Sequence, residues 1–253
     1  MGSVTPANRE PGTPIVRTAD DGEVHVTASA RLRDIATDSI VASFYPLLAE
    51  ACAQGDAHGD DASLADSLAP ATSCRTAADG VACAVTAGSV CAAMDPSTAL
   101  HSIIDGGPCW RACTSMTGVA LHALDAQIEF GAGAQREVVE RIRLPADAAN
   151  GFQRLFRAPQ EHAPSLAGIC VAAVRRTDGD VRLVLGGVSP RPYRVYTSVE
   201  EEAMAGGLDE DAIAGLAERA LLDAEAEPEN ADTFDAAAAL LRRAIAEIAA
   251  ISP

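Results

Sequence analysis

Lysine is absent from this sequence of 253 residues, so arginine supplies all 19 of its basic side chains. They stand against 36 acidic residues, and the net charge at pH 7 is −17. A surface this acidic repels phosphate backbones and anionic lipid headgroups. The composition therefore excludes nucleic acid and membrane surfaces as preferred partners.

Long apolar runs and aromatic residues are also scarce. No run approaches the roughly 20 apolar residues that a membrane-spanning helix needs, and aromatics make up 4% of the chain. Because alanine supplies much of the apolar content, we expect a core of closely packed small side chains. Residues 1–14 have no apolar segment of a secretory signal. We expect a cytoplasmic protein, or a periplasmic one that is exported together with a signal-bearing partner.

The beginning of the chain predicts a lead-in, a hairpin and two helices. Residues 1–14 are rich in proline, glycine and polar side chains, which predicts disorder. Apolar and polar residues then alternate around Asp21-Gly22, a dipeptide that suits the tight turn of a β-hairpin. Residues 31–54 have helical spacing, and Pro46 is expected in the first turn of the second helix.

The patterns of regular structure return beyond residue 115. Residues 117–130 predict a short helix that runs into a strand, and a second strand should end at Pro145. A linker is expected at residues 146–151.

A second unit should follow that linker. Alternating apolar residues around Asp178-Gly179 predict another hairpin. Two amphipathic helices should close the chain, with Asp209 and Thr233 as their N-caps. The fold class predicted from these patterns is α+β in two parts.

Cysteines are concentrated where the periodic patterns are lost, between residues 55 and 115. Five of the seven cysteines fall in this segment: Cys74, Cys83, Cys91, Cys109 and Cys113. Since a structureless loop of this length is uncommon in a compact domain, we expect that something organises it. Cys52 and Cys170 lie in helical and strand patterns, and we expect them to be small core residues.

The residues themselves leave several roles open for the five cysteines. Disulfides need an oxidising compartment, and the count of seven is odd. Zinc sites favour closely spaced pairs, and only Cys109 and Cys113 form one. An iron–sulfur cluster needs four thiolates that converge, and well-separated cysteines on a wrapping loop can supply them. The spacing modestly favours the cluster, while zinc, disulfides and unligated thiols stay open as alternatives.

Three stretches resemble a known family. "LVLGGVSPRPYRV" with the preceding hairpin, "DDGEVHVTASARLRDIATDSIVASFYPLLAEAC" and "ALHALDAQIEF" are similar to segments of the flavoprotein (FAD-binding, medium) subunits of molybdenum hydroxylases. This family includes the subunits of carbon monoxide dehydrogenase, xanthine dehydrogenase and periplasmic aldehyde oxidoreductase. The resemblance covers nearly the whole chain from residue 15 onward.

The resemblance implies a fold in two domains. Residues 15–145 would be a truncated remnant of a PCMH-type FAD-binding domain, with an iron–sulfur loop at about residues 55–115. Residues 150–253 would be a domain like the C-terminal domain of the carbon monoxide dehydrogenase flavoprotein, with an antiparallel sheet and helices.

The resemblance also implies a metal centre. One branch of the family carries an additional [4Fe-4S] cluster in an inserted loop, and its cysteines are similar in order and approximate spacing to those found here. With "ALHALDA" as the anchor, this implies that the cluster ligands are Cys74, Cys83, Cys91 and Cys109. Cys113 would be a bystander.

The family binds FAD, but this chain departs from the motifs that hold it. The first glycine-rich loop is missing, Thr27 replaces a glycine, and "GDDASLADSLAPAT" replaces the second glycine-rich loop. Ser115 retains one position of the FAD motif, whereas Met116 replaces the aspartate that follows. Because diphosphate needs close backbone amides and a positive field, we expect no tightly bound FAD.

The implied function is electron transfer. The chain would relay electrons through the [4Fe-4S] cluster within a molybdenum-cofactor hydroxylase, beside a molybdopterin-binding large subunit and a [2Fe-2S] small subunit. We find no catalytic set in this chain, and we expect no ligand role for its scattered histidines, His58, His101, His122 and His162.

Two alternative functions remain. The first is an FAD-binding dehydrogenase subunit with a weakened or shared flavin site. The second is a non-redox structural subunit whose cysteines bind zinc or nothing. For Arg191 and Arg194, two roles are open: they bind a partner subunit, or they neutralise the nearby glutamates, Glu200, Glu201 and Glu202.

Overall fold

In the computed structural model, the described residues form two antiparallel four-stranded sheets with helices packed against them, and the predicted α+β class is confirmed. The structure describes eight segments of the chain, which are residues 15–54, 62–68, 102–104, 115–131, 138–158, 168–189, 191–225 and 231–251. The predicted lead-in and most of the cysteine-rich segment lie outside these residues.

The first sheet has the strand order β1-β2-β4-β3. Its strands are β1 (Val16–Thr18), β2 (Val24–Thr27), β3 (Gln127–Gly131) and β4 (Val138–Leu144). The predicted hairpin is confirmed, because β1 pairs with β2 across a turn in which Gly22 has φ 84°. A positive φ of this kind favours glycine. Strand β4 ends one residue before Pro145, as predicted.

Among its described residues, this half of the chain has five helices. They are α1 (Leu32–Ala36), α2 (Ser39–Phe44), α3 (Pro46–Ala53), α4 (Leu64–Leu68) and α5 (Met116–Ala123). Pro46 is the first residue of α3, as the sequence predicts. The region predicted as two helices forms three, because Asp38 starts a separate helix by accepting hydrogen bonds from the backbone amides of Ile40 and Val41.

Tyr45 ties these helices to the first sheet. Its side chain is completely buried, and its hydroxyl donates a hydrogen bond of 3.1 Å to the carbonyl oxygen of Pro145. Burial, together with the negative charges of Asp147 and Glu23, raises the pKa of Tyr45 to about 12.

This pKa predicts a loss of stability at alkaline pH. The unfolded chain releases the Tyr45 proton near pH 10, whereas the folded chain keeps it to about pH 12. The contribution is therefore complete below pH 10 and is lost as the pH rises to 12. Between pH 9 and 11 the wild type should lose about 1 kcal/mol more than Tyr45→Phe, as measured by urea unfolding. Parallel losses in the two proteins would contradict this account.

The second sheet has the strand order β5-β6-β7-β8. Its strands are β5 (Phe152–Arg157), β6 (Cys170–Arg175), β7 (Val181–Gly186) and β8 (Tyr193–Arg194). The β6–β7 hairpin confirms the prediction around Asp178-Gly179. The predicted linker contains a short 3-10 helix, Ala146–Ala148.

Both faces of the second sheet are covered. Cys170 and Val184 belong to the core shared with α3 and α5, whereas Val171 and Leu183 belong to the core shared with the C-terminal helices. The sheet therefore forms a middle layer between the two sets of helices. Cys52 and Cys170 are buried in the first of these cores, as expected.

Three helices of the described part of the chain lie on the outer side of this sheet, and the first and third pack directly against it. They are α6 (Thr197–Ala205), α7 (Glu210–Ala220) and α8 (Ala231–Ala249). Asp209 caps α7, as predicted, by accepting a hydrogen bond of 2.8 Å from the backbone amide of Ala212. The prediction for Thr233 is wrong. Helix α8 begins at Ala231, and Thr233 is buried in its first turn. None of the described helices is long and apolar enough to cross a membrane.

Candidate functional site

Most of the predicted site residues lie outside the described part of the chain. This holds for all five clustered cysteines, Cys74, Cys83, Cys91, Cys109 and Cys113, and also for His58, His101 and His162. Within the described residues, no group of three or more histidine, cysteine or acidic side chains could hold a metal ion. The structure does place Ser115, His122, for which no ligand role is expected, and the two arginines Arg191 and Arg194.

Ser115 closes the segment that carries the cysteines, residues 69–114, which we call the insertion. Its hydroxyl donates a hydrogen bond of 2.7 Å to the carbonyl oxygen of Ser67, in the last turn of α4. The same oxygen caps α5 by accepting a 3.0 Å bond from the amide of Gly118. Ser115 is buried. This hydrogen bond therefore joins the end of α4, where the chain enters the insertion, to Ser115, where the chain leaves it.

The insertion is attached to the second half of the molecule at residues 102–104, which we call the anchor. The backbone amides of Ile103 and Ile104 both donate to the carbonyl oxygen of Val188, at 2.8 and 3.0 Å. In return, the amide of Glu225 donates a 2.7 Å bond to the carbonyl oxygen of Ile103. Both isoleucines are 2% exposed and belong to the core under the C-terminal helices.

A cleft of about 240 Å³ lies beside the hydrogen bond between Ser67 and Ser115. Its walls are mostly apolar and include Leu68, Leu121, Ile128 and Pro192. Drug-sized ligands usually occupy cavities of roughly 300–1,000 Å³, so this cleft is small for a dinucleotide. Ser115 lines it, but the hydroxyl proton of Ser115 is already donated to Ser67.

His122 lies on the wall of the same cleft. Desolvation and the positive charges of Arg194 and Arg182 lower the pKa of His122, against an opposing effect of Asp125. A neutral imidazole in this position adds no positive charge for a phosphate. Any positive field at this position would come from Arg194 and Arg182, not from His122.

Asp125, next to the cleft residue Ala126, forms ion pairs with the second half of the molecule. The residue has φ 61° and binds Arg182 at 2.7 Å and Arg176 at 3.4 Å. The hydrogen bond from Arg182 is the main reason why the pKa of Asp125 is lowered. Arg176 also binds Asp147 at 2.8 Å. These carboxylates come from the first half and both arginines come from the β6–β7 hairpin, so the network holds the halves together.

Arg194 has a local partner. It binds the carboxylate of Glu200 at 2.7 Å, and Glu200 also accepts a 2.9 Å bond from the backbone amide of Leu183. Because Glu200 is buried, Arg194 neutralises it, which is the local one of the two roles left open for this arginine. Arg191 is exposed next to the cleft residue Pro192.

Sequence patterns did not predict the anchor or the burial of Glu200. Ile103 and Ile104 are the only isoleucines in the insertion, and an adjacent pair of large β-branched side chains between a serine and an aspartate was the available signal. Glu200 lies in a run of three glutamates, and nothing in that run distinguishes the buried one.

No family model matches the sequence, and no curated protein matches it. Solved structures do share its fold. Quinoline 2-oxidoreductase from Pseudomonas putida 86 aligns with a TM-score of 0.56 and 19% identity, over 92% of this chain and 77% of that one. Carbon monoxide dehydrogenase from Oligotropha carboxidovorans aligns with a TM-score of 0.57 and 16% identity, over 94% and 78% of the two chains.

A third structure is carbon monoxide dehydrogenase from Hydrogenophaga pseudoflava that lacks the Mo-pyranopterin moiety of its molybdenum cofactor. It has a TM-score of 0.53 and 20% identity, over 90% of this chain and 75% of that one. These similarities show that the chain has the fold of a chain in such oxidoreductases.

Proposed function

We propose that this protein is an electron-transfer subunit of an oxidoreductase of the molybdenum hydroxylase type. In this proposal Cys74, Cys83, Cys91 and Cys109 hold one [4Fe-4S] cluster. The observation that carries the proposal is the shared fold over more than nine-tenths of the chain, in a protein with a cysteine-rich insertion. We retain the proposed division into domains at residues 15–145 and 150–253.

The chemistry of the donors fits an iron–sulfur cluster. Cysteine thiolates are the usual ligands of such clusters, which transfer electrons. The described residues contain no group of three or more possible metal ligands, and the four proposed ligands all lie in the insertion.

The described residues also limit where such a cluster could lie. Cys109 is five residues from Ile104 and six residues from Ser115. Chains of this length span at most about 18 and 22 Å. A cluster ligand at Cys109 would thus remain within reach of both the anchor and the cleft.

Substrate chemistry would belong to another chain. The cleft is small and mostly apolar, and among the described residues His122 is the only titratable group in its wall. We therefore propose a molybdopterin-binding large subunit and a [2Fe-2S] small subunit as partners. The compartment would follow those partners, and it would be the cytoplasm, or the periplasm after joint export.

Two observations make FAD the weaker candidate cofactor. The proton of the Ser115 hydroxyl is engaged within the fold, and the cleft volume is below that of typical ligand sites. The flavin-binding subunit remains the alternative function, with a site that would have to be shared with another chain.

Co-purification tests the proposed assembly. The tagged protein, isolated from its native host, should bring two further chains and molybdenum with it, and less than stoichiometric flavin. Arg191→Ala should weaken this association several-fold if the exposed arginine contacts a partner carboxylate. The matched control is Arg33→Ala, which removes an exposed arginine from α1.

A chain that purifies alone at both low and high salt would overturn the proposed partners. Stoichiometric FAD would favour the flavin-binding alternative, and stoichiometric zinc would favour the structural subunit.

A further inference from the structure

We propose that strand β3 is an interface between two copies of this chain, which pair through it in antiparallel orientation and join their first sheets into one. Strand β3 lies at the end of the strand order of the first sheet. It pairs with β4 on one side, and no other described strand pairs with its second side. This inference goes beyond the proposed function and uses no residue of the insertion.

Strand β3 exposes two large apolar side chains. Ile128 is 43% exposed and Phe130 is 54% exposed. Because they are two residues apart on one strand, they lie on the same face of the sheet. Ile128 is paired with the buried Ile142 of β4, so this face extends the apolar core of the first half to the sheet edge. An edge strand of this kind is a template for pairing with a further strand.

The other edge strands of the two described sheets differ from β3. Strand β1 presents the exposed Arg17, and β5 presents Arg154, whose side chain is 53% exposed. Strand β8 has only two residues. Charged side chains and short strands are the usual means by which proteins prevent edge-to-edge pairing. Among the described edges, β3 is therefore the one suited to pairing.

The one charged residue of β3 is neutralised within its own sheet. Glu129 accepts a hydrogen bond from Arg141 and lies 3.5 Å from Arg143, both of β4. The hydrogen bond from Arg141 is the main reason why the pKa of Glu129 is lowered. A strongly charged partner would therefore find no unpaired opposite charge on β3. A second copy, whose edge is compensated in the same way, matches it.

The sequence of β3 is self-complementary in an antiparallel pair. When two copies pair about Glu129, all five residues of each strand overlap, and Ile128 of each copy lies opposite Phe130 of the other. An aromatic side chain opposite a β-branched one is a favourable cross-strand pair. The two copies of Glu129 meet at the centre, each beside the arginines of its own sheet. Such a contact uses the same surface on both copies and closes as a dimer.

Sedimentation velocity of the full chain measures this association. One pair of strands buries a small area, so the wild type should form a dimer with a dissociation constant in the micromolar range. Each copy carries a net charge of −17, and the copies repel each other at a distance. Added salt screens this repulsion and should therefore strengthen the dimer.

Two complementary variants test the register. Ile128→Lys and Phe130→Asp should each raise the dissociation constant at least about 30-fold, because each homodimer then buries two charges against apolar side chains. In an equimolar mixture of the two variants, the introduced lysine lies opposite the introduced aspartate, and the remaining Phe130 lies opposite the remaining Ile128. The mixture should therefore dimerise again. The matched control is Phe44→Asp, which changes an exposed phenylalanine of α2 and should leave the dimer intact.

Hydrogen exchange tests the same interface in the wild type, without a substitution that could alter folding. The amides of β3 that donate no bond to β4 should exchange several-fold more slowly above the dissociation constant than below it, because their protection follows the fraction of dimer. Amides of β1, at the opposite edge of the sheet, should exchange at the same rate at both concentrations.

Three results would overturn the proposal. A wild type that stays monomeric up to about 100 μM would leave this edge to another partner. Equal loss of the dimer in Phe44→Asp and Phe130→Asp would show that β3 is not the interface, and a mixture that stays monomeric would exclude the register. None of these results concerns the insertion, so the proposed function would stand. A wild type that dimerises but contains no iron would overturn the proposed function alone.

Discussion

Replacing Arg194 with alanine should lower the free energy of unfolding by about 3 kcal/mol. The replacement removes the cation from a carboxylate that is 2% exposed, and an unpaired buried charge typically costs about 3–5 kcal/mol. We expect the lower end of that range because the Arg194 side chain is 33% exposed. Urea unfolding of the isolated chain measures the change.

A second ion pair on the same helix provides the control. Glu202 of α6 binds Arg219 at 2.7 Å, but both side chains are about half exposed. Because exposed pairs contribute little, Arg219→Ala should leave the stability nearly unchanged. Replacing the buried pair with Arg194→Met and Glu200→Leu together should recover part of the loss. Equal effects of Arg194→Ala and Arg219→Ala would show that burial of Glu200 does not govern this interaction.

Replacing Cys109 with serine should abolish the cluster. The resemblance to the cluster-containing branch implies that Cys109 is one of the four proposed ligands, and loss of one thiolate leaves three where four are needed. Iron per chain should fall from about four to near zero in Cys109→Ser. The same result is expected for serine at Cys74, Cys83 and Cys91, with folding monitored by circular dichroism.

Cys113→Ser is the matched control for that series. Cys113 lies four residues beyond Cys109 and is proposed to be a bystander, so this variant should keep its iron. The assignment is wrong if Cys113→Ser loses the iron while Cys109→Ser keeps it.

The hairpins could be predicted because local signals decide them. Alternating apolar residues meet an Asp-Gly turn at Gly22 and again at Gly179, and both glycines have positive φ. Pro46 at the start of α3 and Asp209 at the cap of α7 are also local signals. Such features depend on neighbours in the sequence, and the sequence shows those neighbours directly.

Other elements depend on distant contacts and were missed. Helix α6 carries three glutamates, and the burial of Glu200 among them depends on a hydrogen bond from the amide of Leu183, 17 residues earlier in the chain. Strand β8 has two residues and exists through its pairing with β7. Thr233 resembles a cap, but α8 begins two residues earlier.

The candidate site divides in the same way. The cysteines are visible in the sequence, and the resemblance assigns their ligand role, but the described residues do not include them. The closure at Ser115 and the anchor at Ile103 are long-range contacts with Ser67 and Val188. No local pattern encodes the partners of these residues, so only the structure could identify them.

The central claim is that the insertion holds a [4Fe-4S] cluster. Its most direct test is the content of iron and acid-labile sulfide in wild-type protein purified without oxygen, together with the absorption spectrum. The account predicts about four irons and four sulfides per chain, with broad absorbance at about 400 nm. A colourless protein that contains zinc or no metal under the same conditions would contradict it.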